Sequence, residues 1–154
     1  MSKFESKLNA LGITLPTPAA PVANYVGFVK SGNMVFISGQ LPLENGELKF
    51  KGKVGSEVSV EDAAKAAKIC AVNILAQLKS ACEGNLDRVV ACVKLGVFVN
   101  GDADFIDHPT VANGASDLMV EVFADAGKHA RAAVGSGSLP RGVSVEVDAI
   151  FEIK

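Results

Sequence analysis

Tryptophan is absent from this chain, and Tyr25 is its only tyrosine. Lysine and arginine never cluster, and the formal net charge is −2. The basic, aromatic footprint that holds a nucleic acid is therefore missing, and no nucleic-acid partner is expected. No apolar run approaches the roughly 18 residues of a membrane span, so no membrane partner is expected either. Residues 1–8 contain no apolar stretch of the kind that directs secretion, and we expect a cytoplasmic location. Cysteine is scarce: Cys70, Cys82 and Cys92 are odd in number and lack C-x-x-C spacing. That suits free thiols in a reducing compartment rather than a disulfide framework. With His108 and His129 they show no metal-ligand spacing. No Ser-His-Asp pattern is present, and Gly135-Ser136-Gly137-Ser138 lacks the Lys-Thr of a phosphate loop. We expect neither metal nor cofactor.

Apolar residues, by contrast, make up 49% of the 154 positions, enough for a real core. We expect one domain over residues 1–154, with residues 1–20 as an N-terminal helix and connector. Phe4, Leu8 and Leu11 have helical spacing, and Gly12 ends them. Residues 15–21 are rich in Pro and Ala and read as extended. Residues 25–30 and 34–38 form a hairpin around Ser31-Gly32-Asn33. A further strand is expected around residues 48–53. Ser59 opens a long helix whose apolar face is Ala63, Ala67, Cys70, Ala71, Ile74, Leu75 and Leu78. Cys70 and Cys82 lie on or near that face as small hydrophobes. Residues 89–99 form a strand, and residues 109–126 a second long helix closed by Gly127.

The end of the chain reads as two strands joined by an irregular Gly- and Ser-rich turn carrying Leu139-Pro140. Arg131 opens the first. In the second, Val143, Val145, Val147, Ala149, Phe151 and Ile153 alternate with Ser144, Glu146, Asp148 and Glu152, the mark of a strand with one buried face. Right-handed crossovers place both long helices on one side of a mixed sheet. The bare side then carries Glu146, Asp148 and Ile150 on the last strand, and Cys92, Lys94, Gly96 and Phe98 on the strand before the second long helix. That mixture is too apolar for water and too charged for a closed core. We expect it to be buried against copies of the same chain.

Three stretches resemble the Rid family, also called the YjgF or L-PSP endoribonuclease family. Arg131-Ala-Ala-Val, Leu139-Pro140 and Val143-Ser-Val-Glu146-Val-Asp148-Ala149-Ile150 are similar to its C-terminal signature. Tyr25-Val26 with Gly32-Asn33-Met34-Val35-Phe36-Ile37-Ser38-Gly39-Gln40 is similar to its N-terminal one. The helix from Ser59, followed by Arg88-Val89-Val90 and Val97-Phe98-Val99, matches between them. The resemblance covers most of residues 20–154. It implies an α+β, chorismate-mutase-like fold, with a mixed sheet and two main helices on one face. It also implies a homotrimer with a site in each intersubunit cleft.

The activity it implies is hydrolysis of reactive enamines and imines, giving 2-oxo acids and ammonia. Arg131 clamps the carboxylate of a 2-imino acid, where a guanidinium fork fits well. Main-chain groups near Ala133 hold the imine nitrogen, Tyr25, Ser38 and Gly39 line the cleft, and Glu146 positions the attacking water. Each residue has a plainer reading. Arg131 reads otherwise as a surface residue, Glu146 as a partner of Lys94 or Arg141, and Tyr25 as an aromatic at a strand start. Ser38 and Gly39 read as a tight backbone site. Asp148 fits an ion pair or hydrogen bond between subunits. His129 lies two residues before Arg131, and the family motif does not require it.

Two departures mark a divergent branch. Deaminating members carry Cys two residues after the Arg, and here that position is Ala133. They also carry an Asn on the second long helix. Counting back from Phe123, its position holds Ser116, with Asn113 nearby; Ser116 is taken as a substrate-binding candidate. Residues 100–114 are longer than in compact members. A non-catalytic trimer that binds small carboxylates is the second reading, and an endoribonuclease the third.

Overall fold

The computed structural model describes residues 2–18, 20–21 and 23–154. Helix α1 (Lys3–Ala10) starts at a capping box in which Ser2 and Glu5 satisfy each other's backbone donors. Strands β1 (Phe28–Ser31) and β2 (Met34–Gln40) form the expected hairpin. Tyr25 lies ahead of β1, not at its start. The strand expected over residues 48–53 is shorter and displaced. Leu43–Glu44 (β3) and Glu47–Leu48 (β4) make a small ribbon around Asn45-Gly46, and Lys51 makes one bridge to Val143. Asn45 and Gly46 both have positive φ, the geometry a two-residue hairpin requires.

Helix α2 (Val60–Ala81) is capped by the Ser59 side chain. Strand β5 (Val89–Val99) follows, then helix α3 (His108–Phe123), β6 (Ala130–Gly135) and β7 (Val145–Ile153). One short 3-10 turn separates α3 from β6 and another lies between β6 and β7. The main sheet has the order β1-β2-β7-β5-β6. Only β5 and β6 pair in parallel, as the α3 crossover between them demands. β6 and β7, consecutive in sequence, are therefore separated by β5.

Val145, Val147, Ala149, Phe151 and Ile153 are all buried beneath α2, while Glu146, Asp148, Ile150 and Glu152 alternate with them at intermediate exposure. The helices cover that one face only. Across the other, register sets Val29 beside Phe36, Phe36 beside Ile150, and Ile150 beside Lys94. Phe36 is 45% exposed there. With Gly96, Phe98, Ala132 and Asp148 it surrounds a depression of about 320 Å³. Cys92 does not join this face as expected. A register shift between Cys92 and Lys94 turns it into the core opposite Phe151. Burial pushes its thiol up to about 12, so it is no nucleophile.

The two long helices meet through small residues. Ala63, Ala66 and Ala67 of α2 are fully buried, as are Val111, Ala112 and Ala115 of α3. At the crossing, a Cβ added to Gly114 would strike the backbone carbonyl of Ala64. Backbone cannot swing aside as a side-chain tip can, so the helices must part. Gly114→Ala is therefore expected to destabilise the fold by roughly 1–3 kcal/mol despite alanine's better helix propensity. Urea unfolding of the two proteins measures this; an unchanged midpoint would show that the crossing is loose.

Candidate functional site

The polar side chains form two separate groups, one around Arg131 and one around Glu146. The first sits where β6 meets α3. Arg131 pairs in register with Leu95, a core residue, so both side chains take the helix side. β6 is an edge strand, however, and Arg131 remains exposed. Its Nη1 donates to Asn113 Oδ1 at 2.8 Å and to Ser116 Oγ at 3.1 Å. Positions 113 and 116 lie one helical turn apart and form a single ledge. Both protons of Nη1 are thus engaged, and Nε and Nη2 have no partner among the described residues. The guanidinium is held from behind with one edge of its fork open. Ser116 also bonds His129 Nε2 at 2.8 Å, and His129 Nδ1 lies 2.6 Å from the Gly127 carbonyl oxygen. Ala133 follows two residues after Arg131, on the same face and packed against the core.

The second group surrounds a pocket of about 700 Å³ at the other end of the sheet. Tyr25, 54% exposed, contributes from the segment before β1. Ser38 and Gly39 contribute from β2, where the pairing with β7 slips between Ile37 and Gln40. The slip brings Gly39 against Glu146: a Cβ there would collide with the carboxylate, so glycine is what leaves it room. Ser38 Oγ donates to the Val26 carbonyl at 2.6 Å, which ties the Tyr25-Val26 segment to β2. Pro16 and Pro18 of the N-terminal connector form another wall, and Gln77 of α2, only 4% exposed, lines the interior. Arg141 also lines the pocket, at φ 57, ψ 19, a left-handed conformation uncommon for a residue with a Cβ.

Burial raises the pKa of Glu146 above the usual carboxylate range, and the neighbouring Asp148 charge raises it further. Asp148 is raised by burial too, against opposition from Lys94 and the Gly96 backbone N–H. Among the described residues Glu146 has no ion pair. A desolvated, unpaired carboxylate holds and releases its proton closer to neutrality, as a general base or acid must.

Of the sequence-derived candidates, then, Tyr25, Ser38, Gly39 and Glu146 gather around one pocket, and Arg131, Ser116 and Ala133 gather where β6 meets α3. Asn113 proves to be a direct Arg131 partner. The resemblance pointed near it, through the Asn that the family carries on the second long helix. Gln77 was missed because its neighbours in sequence read as pure core. Cys70 and Cys82 are buried free thiols, both raised chiefly by burial.

The raised carboxylates link stability to pH. Their folded forms hold protons more tightly than the unfolded chain does. Their contribution is therefore fully present below the ordinary carboxylate range and is lost as pH rises through the folded pKa values. Stability should fall over that window, and Glu146→Gln with Asp148→Asn should flatten the fall. Urea midpoints from about pH 4 to 8 test this; identical slopes in both proteins would refute it.

Comparison with known proteins agrees with this fold. Residues 5–150 match the family model described as "YjgF/chorismate_mutase-like, putative endoribonuclease". The chain is 46% identical to Protein TCP17 of Trypanosoma cruzi over 152 residues, covering 98% of this chain and 94% of that protein. It is 48% identical to Atu1372 of Agrobacterium tumefaciens, a protein of unknown function whose crystal structure superposes with a TM-score of 0.93 over 99% of this chain and 93% of that one. E. coli TdcF, solved with bound serine, is 25% identical with a TM-score of 0.63, covering 90% and 94% of the two chains. The chain belongs to the YjgF/chorismate-mutase-like family.

Proposed function

We propose that this protein hydrolyses reactive 2-imino acids to 2-oxo acids and ammonia, in clefts formed between copies of the chain in a homotrimer. The observation that carries the reading is the Arg131 guanidinium, backed by Asn113 and Ser116 with an open edge. That edge suits a small carboxylate in bidentate fashion. The serine bound to TdcF is a ligand of the same chemical class.

In the mechanism, Arg131 fixes the substrate carboxylate and main-chain groups near Ala133 hold the imine nitrogen. Glu146 accepts a proton from water as the oxygen attacks the imine carbon. That proton passes to nitrogen and gives a carbinolamine; Glu146 then carries the hydroxyl proton to the same nitrogen as the carbonyl forms and the C–N bond breaks, so ammonia leaves with the 2-oxo acid. No cofactor is required, because the imine carbon is already electrophilic. Within one chain Arg131 and Glu146 lie on opposite sheet faces, so a shared site needs two copies. The half-apolar sheet face opposite the helices supplies a surface for that assembly.

A second reading is a trimer that binds small carboxylates without turnover; Ala133, where deaminating relatives carry Cys, does not decide between the two, because main-chain groups act at that position. Such a trimer keeps the Arg131 clamp and loses only the chemistry.

Ammonia release from freshly generated 2-imino acids separates the two. Arg131→Ala should weaken binding of 2-oxobutanoate by about 1.5–3 kcal/mol, on the order of 10–100-fold, and Lys should not restore it. Glu146→Gln should spare binding and reduce turnover. Binding without any ammonia release would favour the second reading. Native light scattering should give three times the chain mass; a monomer at micromolar concentration would remove the proposed cleft.

A further inference from the structure

We infer that His129 is a positioning residue for the Arg131 clamp, acting through the hydroxyl of Ser116. The inference rests on the carboxylate-clamp reading of Arg131 and adds to it a residue that the family signature does not contain.

The direction of each hydrogen bond follows from elementary chemistry. The Gly127 carbonyl can only accept, so the 2.6 Å contact places a proton on His129 Nδ1. In the neutral ring Nε2 then carries a lone pair, and at 2.8 Å it accepts the Ser116 hydroxyl proton. Arg131 cannot accept at all, so at 3.1 Å its Nη1 donates to the remaining lone pair of Ser116 Oγ. The chain runs one way: Arg131 to Ser116 to His129 to the Gly127 carbonyl.

Without His129 the order does not hold itself. A serine inside a helix tends to donate back to the carbonyl four residues earlier, which swings Oγ along the helix. Nε2 offers a better acceptor on the β6 side and keeps the Oγ lone pair turned toward the guanidinium. A long, exposed arginine loses much rotamer freedom when it binds a ligand. A clamp already held by both Asn113 and Ser116 has less to lose. The short Ser116 side chain needs a neighbour to fix it, and His129, two residues before Arg131 and just ahead of β6, reaches it.

Calorimetry with 2-oxobutanoate tests this on the native oligomer. His129→Ala should weaken binding about 3- to 10-fold, the usual effect of one neutral hydrogen bond. Ser116→Ala should do the same, and the double variant should bind no worse than Ser116→Ala alone. His129→Gln, whose amide oxygen can stand in for Nε2, should bind within about 2-fold of wild type. An effect of His129→Ala that persists undiminished in the Ser116→Ala background, or no effect at all, overturns the inference. A purely structural histidine would shift the melting temperature and leave those couplings additive. If Arg131→Ala itself leaves binding unchanged, the clamp reading fails and this inference with it. Imidazole 15N shifts, measured on the wild-type protein at about pH 8, give an independent readout: Nδ1 should carry the proton, and a protonated Nε2 with a bare Nδ1 would overturn the chain.

Discussion

The pairing of β7 on both its edges is the constraint on which the rest of the structure depends. β2 runs antiparallel along one edge and β5 along the other, so neither edge is free. With period-two alternation, one register then decides everything on the strand. Val145, Val147, Ala149, Phe151 and Ile153 fall under α2 and make the core. The same choice commits Glu146 and Asp148 to the uncovered face, beside Gly39 and Gly96. A side chain at either glycine would fill the space that its carboxylate occupies. A slip of one residue would bury both charges and expose Phe151. The site carboxylate is thus fixed by the same residues that fix the fold.

The helices impose a second condition. α2 and α3 approach closely because alanines line their contact and Gly114 carries no side chain at the tightest point. That approach sets where α3 lies over β5 and β6. The position of α3 in turn decides whether Asn113 and Ser116 can reach Arg131. Core packing at one end of α3's surface and ligand preparation at another are therefore one geometric problem.

Much of this was legible in the sequence. β7 announces itself through five buried residues at strict alternation, and α2 through Ala63, Ala67, Cys70, Ile74 and Leu78 at helical spacing with Ser59 as cap. Parts that depend on irregular backbone were not legible. Cys92 was misplaced because a one-residue register shift reverses the alternation locally, and periodicity has no means of marking a shift. The β3–β4 ribbon is only two residues per strand, too short for any pattern. Tyr25, Ser38, Gly39 and Glu146 were picked out together, but the reason Gly39 is glycine appears only when its missing Cβ is seen against Glu146. The Arg131 ledge was half read: Ser116 and Asn113 were both noticed, and only the structure reveals that both bond the same nitrogen. His129 drew notice by standing two residues before Arg131, but a lone histidine near a strand start has many structural uses, and its bond to Ser116 is visible only in the structure.

The separation of Arg131 from Glu146 has a physical logic in the proposed assembly. A guanidinium and a carboxylate within reach of each other in one chain form an ion pair. That pair lowers the carboxylate pKa and occupies the fork, so both groups lose what the chemistry needs. With opposite sheet faces between them, Glu146 keeps a desolvated carboxylate whose pKa is raised, and Arg131 keeps an open edge. Bringing copies together would set the two charges around a cleft only when the surfaces are already formed. In the proposed reaction the substrate's own carboxylate would satisfy the arginine and leave the glutamate to act on water. A monomer with both groups in one pocket would spend them on each other, whereas a divided site preserves them until assembly.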